Sequence, residues 1–256
     1  MDQTIRGNLA VQDSGFRPAG IVMGVATYQL LRPSGCMLGR GAAKSSNVLE
    51  YATYGEGVTR TWNDAIHALE YEAREHGAHG VAGVSATAEW ISTSASTYQV
   101  QLIGNAVQAA GATPLERPFL STLSMEQTLK MLLRGWVPSG IGIGIAAVHV
   151  HGFATSALWQ RNLTTNAEMP IPTEGMQYVR RQAELRLRRS PTLRKAQGVI
   201  GVTTQLTYEN EPCNFGATGM RLVGQLTGTG VARFGTPSVP IDVALSLSPR
   251  ESHPNA

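Results

Sequence analysis

The chain has 256 residues, of which 15% are charged and 28 are Gly, with a formal net charge of +3. That balance is too mild for a nucleic-acid binder, and low charge with many small residues points to surface buried between subunits. No apolar run of about 18 residues and no N-terminal leader pattern stands out, so a cytoplasmic protein without a membrane span is expected.

The chain writes one pattern twice. Gly15-Phe16-Arg17-Pro18-Ala19-Gly20-Ile21 returns as Gly135-Trp136-Val137-Pro138-Ser139-Gly140-Ile141, an offset of 120 from Gly20 to Gly140. Both copies run on in parallel, through Val22 to Ala26 and Gly142 to Ala146. An internal repeat is read before anything else because it sets the architecture.

Residues 1–13 form a polar N-terminal arm ahead of a first repeat over 14–111. Its first strand is expected over Ile21 to Leu30, and residues 32–60, with Cys36, read as a long loop. Thr61 reads as the N-cap of a helix from Trp62 to His76, with Ile66, Leu69 and Ala73 on one apolar face and Gly77 as the stop. A strand from Gly80 to about Ile91, a turn at 92–96 and a strand from Gln99 to Ala109 complete a β-α-β-β unit, its last two strands an antiparallel hairpin.

Residues 112–134 read as a linker and a short helix opening after Ser124, an N-cap without a reciprocal capping box. The second repeat covers 135–235: a strand from Ile141 to Val150, a loop over 152–173, a helix from about Glu174 to Arg189, and two strands joined by a turn holding Asn210, Pro212, Asn214 and Gly216. Gly198-Val199-Ile200-Gly201-Val202 mirrors Gly80 to Val84 at an offset of 118. A C-terminal tail, 236–256, carries one expected strand at Ile241 to Leu247.

The run Gly55 to Val84, with Gly77-Ala78-His79-Gly80-Val81-Ala82-Gly83-Val84, the strand Gly20 to Tyr28 and the closing Leu102 to Val107 resemble the YbjQ-like family, often labelled heavy-metal-binding. The resemblance implies an α+β protein of two tandem YbjQ-like (dodecin-like) β-α-β-β domains, with antiparallel sheets packed on helices. It implies homo-oligomeric assembly as a ring, with five chains the expected count and a smaller ring of alternating copies the alternative. In the second copy Gln197 stands where the first has His79.

His149 and His151 are the sharpest local feature. Two apart on a strand, they face one side, and two imidazoles can grip Zn²⁺ or another divalent transition metal if a third ligand arrives. Cys213 or His79 are candidates for it, and Cys36 is a further soft ligand. The alternative is a strand end where both His form hydrogen bonds or face solvent; the first repeat has Gln29 and Leu31 at the equivalent positions. His76 and His79 sit where a helix C-terminus favours them. Two Cys without a Cys-x-x-Cys read as free thiols. Arg180, Arg181, Arg186, Arg188, Arg189, Arg194 and Lys195 make a charge cluster; with Arg181, Glu184 and Arg188 as paired charges it reads as a solvated helix face or as inter-subunit salt bridges, and no aromatics interleave with it as single-strand nucleic-acid readers would need. No Gly-x-Ser-x-Gly, P-loop or His-Glu-x-x-His occurs, and the Gly140 to Gly144 alternation precedes no helix. The expectation is a non-enzymatic structural or binding module whose main partner is itself, with an unknown protein partner also open. Metal binding is the first alternative; an enzyme with a pocket at the subunit boundary, built from loops 32–60 and 152–173, is the second.

Overall fold

Two four-stranded sheets carry the structure, and each is built on one copy of the repeated Gly-aromatic-x-Pro motif. The computed structural model describes residues 15–31, 48–92, 96–113, 115–151, 168–193, 195–213 and 217–234. The expected N-terminal arm, the C-terminal tail with its strand at 241–247, and most of both long loops lie outside the described residues.

In chain order the strands are β1 (Phe16–Gln29), β2 (Val48–Glu50), β3 (Gly80–Ser92), β4 (Thr97–Ala109), β5 (Phe119–Leu120), β6 (Trp136–Val150), β7 (Gly198–Cys213) and β8 (Ala217–Arg233). The helices are α1 (Ala52–Glu75), α2 (Met125–Leu133) and α3 (Pro170–Arg188), with a 3-10 turn at Pro191–Leu193. The first sheet runs β1-β4-β3-β5 and the second β2-β6-β8-β7. The fold is α+β and mostly antiparallel; β5 pairs parallel to β3, which the sequence did not announce.

The two halves repeat in detail. Each has strand, helix, hairpin, with the order β1-β4-β3 matching β6-β8-β7. Bulges fall between Pro18 and Gly20 and between Pro138 and Gly140, where the glycines take φ of +133° and +144°. Only Gly adopts such angles freely. At Gly24 an added methyl would overlap the carbonyl oxygen of Ala65, and at Gly144 that of Ala183. The strand Gly therefore lets each helix backbone cross directly on its sheet. A strand amide without a ladder partner is closed off in both halves: the Met23 N–H donates to Glu72 at 2.6 Å, and the Ile143 N–H, beyond the short β2 pairing, to the Ser190 hydroxyl at 3.2 Å.

Several boundaries and one cap differ from expectation. Helix α1 begins ten residues earlier than Trp62, because its start is fixed by tertiary contacts: the Tyr51 N–H donates to Ala147 O at 2.8 Å, and no side chain caps it locally. Thr61 is thus a mid-helix residue, its hydroxyl bonded to Gly57 O. Gly55 and Gly57 are in the helix, where they admit Arg186 and Leu30 rather than marking a loop. Helix α3 takes in Pro170 and Pro172, since a first turn needs no N–H from either. Asn210 and Pro212 are in β7, an edge strand that tolerates Pro. Ser124 has a full capping box, because Gln127 is the residue three on: Gln127 N–H donates to Ser124 Oγ, and Ser124 N–H to Gln127 Oε1.

The core is shared. Val22, Trp62, Ala65, Ile66, Leu69 and Leu102 form one cluster, and Ile141, Ile143 and Ile145 of β6 belong to it. Ala146, Val148 and Val150, on the opposite face of β6, join Val179, Ala183, Leu187 and Leu222 under α3. Strand β6 is therefore buried on both faces. Its equivalent β1 is covered on one face alone: Ile21, Met23 and Val25 are 51%, 46% and 40% exposed.

Candidate functional site

The polar counterpart of that buried strand is a cluster at the far end of β6. Cross-strand register aligns His149 of β6 with Arg221 of β8, and Arg221 with Glu209 of β7. One step on, Glu211 of β7 faces Gly219 of β8. Side chains two apart share a face, so His149, Arg221, Glu209 and Glu211 lie on one side of the sheet.

Gly219 makes the cluster possible. It lies between β6 and β7, and an added methyl would overlap the His149 ring. Without a side chain there, His149 Nδ1 reaches across β8 to the Glu211 carboxylate. Tyr51, at the entrance to α1, donates its hydroxyl to the same Glu211 oxygen at 2.8 Å. Arg221 Nη1 stands 3.7 Å from the other oxygen and its Nη2 pairs with Glu209. The His149 and His151 rings meet edge to face with centroids 4.5 Å apart, and Tyr51 lies 6.1 Å from His149.

Electrostatics follow from this packing. Burial alone would raise the Glu211 pKa, but the hydrogen bonds from His149 and Tyr51, with the charges of His149 and Arg221, outweigh it and hold the carboxyl below its ordinary value. An ionised Glu211 fixes the His149 proton on Nδ1, because that nitrogen must donate. His151 is lowered first by desolvation and then by the neighbouring His149, with Glu211 acting in the other direction. The pair is therefore a carboxylate-oriented imidazole beside one that resists protonation. That chemistry suits a proton-sensitive buried contact, and it is also how carboxylates orient metal-ligating His.

The same-face placement of His149 and His151 is as the spacing predicts. The other candidate ligands are elsewhere. His79 is buried, its Nδ1 accepting from the Ala109 N–H at 3.2 Å and its Nε2 donating to Thr113 O at 2.8 Å, so both ring nitrogens hold the chain together. His76 is the C-cap residue of α1. Cys36 and the side chain of Cys213 lie outside the described residues. Among the described residues no group of three or more His, Cys, Asp or Glu is arranged to hold a metal ion. In the Arg cluster, Arg188 pairs with Glu184 at 2.6 Å, while Arg186 binds Ile145 O at 2.7 Å and Glu50 of β2. Arg186 is thus a clamp between α3, β6 and β2 rather than a solvated charge.

Sequence reasoning missed Glu211, Arg221, Tyr51 and Gly219. The period of two that flags His149 and His151 also flags Glu209 and Glu211. Tyr51 had no signal, since its role depends on a contact 160 positions away.

Among the described residues the fold is α+β, with two four-stranded sheets, three helices and a buried acid–imidazole cluster, and no helix there is long and apolar enough to cross a membrane. No family model matches the chain. Over 208 residues it is 28% identical to a Mycobacterium tuberculosis protein named Encapsulin nanocompartment protein Rv1762c, with 78% of this chain and 75% of that protein covered.

Proposed function

We propose that this chain is a non-enzymatic, homo-oligomeric structural or binding protein of two tandem YbjQ-like domains, assembled head to tail into a closed cytoplasmic ring. One observation carries this reading. Ile21, Met23 and Val25 stand 120 positions before Ile141, Ile143 and Ile145, at the same register of the repeated sheet. The second set is 0–1% exposed, in the core that α1 joins; the first is left open. A further copy covering the open set would repeat the internal contact, and such head-to-tail contacts close into rings or run on as filaments. Five chains is the count the family resemblance implies. The relative's name, which ties that protein to an encapsulin nanocompartment, supports a place in or beside a protein assembly.

Native mass spectrometry tests the reading directly. A closed multiple of the 27.3 kDa chain is expected, falling toward single chains in Met23→Arg. A monomer at micromolar concentration overturns it.

The metal reading keeps one favourable observation, the carboxylate-oriented His149 beside His151. It predicts metal in fixed ratio to chains, lost in the His149→Ala/His151→Ala double variant with the assembly intact. Unchanged metal content in that variant removes it.

A further inference from the structure

The molecule contains one contact between repeats, and its two sides can be followed to their second copies. One face of the second sheet carries Ile141, Ile143 and Ile145, which share a buried cluster with Trp62 and Ile66 of α1. On β8 and β7 the same face continues through Gln225 and Gln205. These two line a cleft with Trp62 and with Ala86 and Ala88 of β3. Helix α1 and strand β3 thus form a seat, and one face of the second sheet occupies it.

The seat recurs on the second half. Gly24 lies against Ala65 as Gly144 lies against Ala183, so α3 follows α1 at an offset of 118. Gly198 to Val202 follows Gly80 to Val84 at the same offset, which carries β7 onto β3. Arg180 therefore stands where α1 has Trp62, and Glu184 where it has Ile66. On the strand, Leu206 replaces Ala88 and Tyr208 replaces Trp90. Trp62 and Ile66 are 2% and 0% exposed, but Arg180 is exposed, and Leu206 and Tyr208 are 42% and 67% exposed.

The face that matches this second seat is the open side of the first sheet. From Ile21, Met23 and Val25 it runs through Gln101 of β4 to Thr87 of β3. The Thr87–Gln101 pair holds the place of Gln205–Gln225, the pair beside Trp62. Glu89 follows on the same side of β3, about 7 Å further along. It is exposed and is the one charged residue of β3 and β4. A guanidinium at the Trp62 position thus comes opposite a strand pair whose nearest charge is a carboxylate.

We propose that the exposed face of α3 and β7 seats the open face of the first sheet of a second copy of this chain, with Arg180 of one chain paired to Glu89 of the next. This rests on the head-to-tail reading above and adds the surface and the chemistry by which chains join. The joint between chains has Arg180 and Glu184 where the internal joint has an indole and an isoleucine. It is accordingly the more polar and the more readily reversed of the two, and salt weakens it.

Native mass spectrometry of the full chain over a concentration series tests the seat by charge exchange. Arg180→Glu and Glu89→Arg each bring like charges together and should raise the concentration needed for assembly about tenfold or more. Both positions are exposed, so the thermal midpoint of the single chain is expected to stay unchanged in each. The double variant Arg180→Glu/Glu89→Arg restores opposite charges and should assemble close to the unaltered chain. Unaltered assembly in both single variants overturns the seat, leaves the α3–β7 face to a different protein, and lets the ring reading stand. A double variant no better than the singles also overturns the pairing. An unaltered chain that remains single overturns the ring reading and this inference together.

Discussion

Strands β1 and β6 begin with the same motif, carry the same bulge and cross the same helix contact, yet one is half open and the other wholly enclosed. The difference is in what lies over them. Strand β6 has α3 on one face and the core of the first half on the other; β1 has α1 alone. Equal sequence patterns therefore dictate equal local geometry, while burial depends on neighbours that the pattern does not name. The contrast extends to chemistry. The enclosed copy carries His149 and His151 at its end, and the open copy has Gln29 and Leu31 at those register positions.

The strongest way to break the comparison is at the shared feature. Gly24→Val and Gly144→Val should each cost about 4 kcal/mol or more, because a side chain there displaces a helix backbone rather than a mobile side chain. Similar losses in denaturant unfolding are expected; a tolerated substitution in either half would show that the two crossings are not equivalent. Next come the odd-numbered stripes. Ile143→Ala should cost about 3 kcal/mol through the cavity it leaves. Met23→Ala, measured below the concentration at which chains associate, should stay within about 0.5 kcal/mol.

The acid–imidazole cluster gives a smaller effect with a pH signature. Glu211→Gln should cost about 2 kcal/mol, since His149 and Tyr51 then lose a charged acceptor. The sign for His151 follows from its lowered pKa. Above 6.5, its ordinary value, folded and unfolded chains are both neutral and the full stability is present. As pH falls below 6.5, the unfolded chain takes up the proton first and stability drops. Glu211, also lowered, adds a second loss below 4.5. Thermal midpoints should decline between about pH 7 and 5 and flatten there in His151→Gln. An identical slope in that variant would assign the decline to other groups. A smaller loss than that at Glu211 belongs to α2, which has no counterpart after the second repeat among the described residues. Ser124→Ala should cost about 1 kcal/mol by removing the N-cap, readable as a small shift in urea midpoint.

Much of the fold was legible because its signals are local. The Gly-Val-x-Gly-Val runs place both β3 and β7, and the apolar spacing of Ile66, Leu69 and Ala73 places α1. What escaped depends on distance along the chain. The start of α1 is set by Tyr51 meeting β6, and β2 is a three-residue strand that exists only as an addition to the second sheet. The site was half legible for the same reason. Two His on one strand are visible in sequence, whereas Glu211 reaches them only because Gly219 leaves an opening in the strand between.

That reach of Tyr51 has a consequence for the order in which the protein is made. Residues 48–51 leave the ribosome with the first half, but their partners, Val148 to Val150 and Glu211, follow up to 160 residues later. At about 5–20 residues per second, the leading turn of α1 waits on the order of ten seconds or more for its seat. During synthesis the first half is therefore an incomplete body with a loose helix end, and the arrival of β7 fastens it.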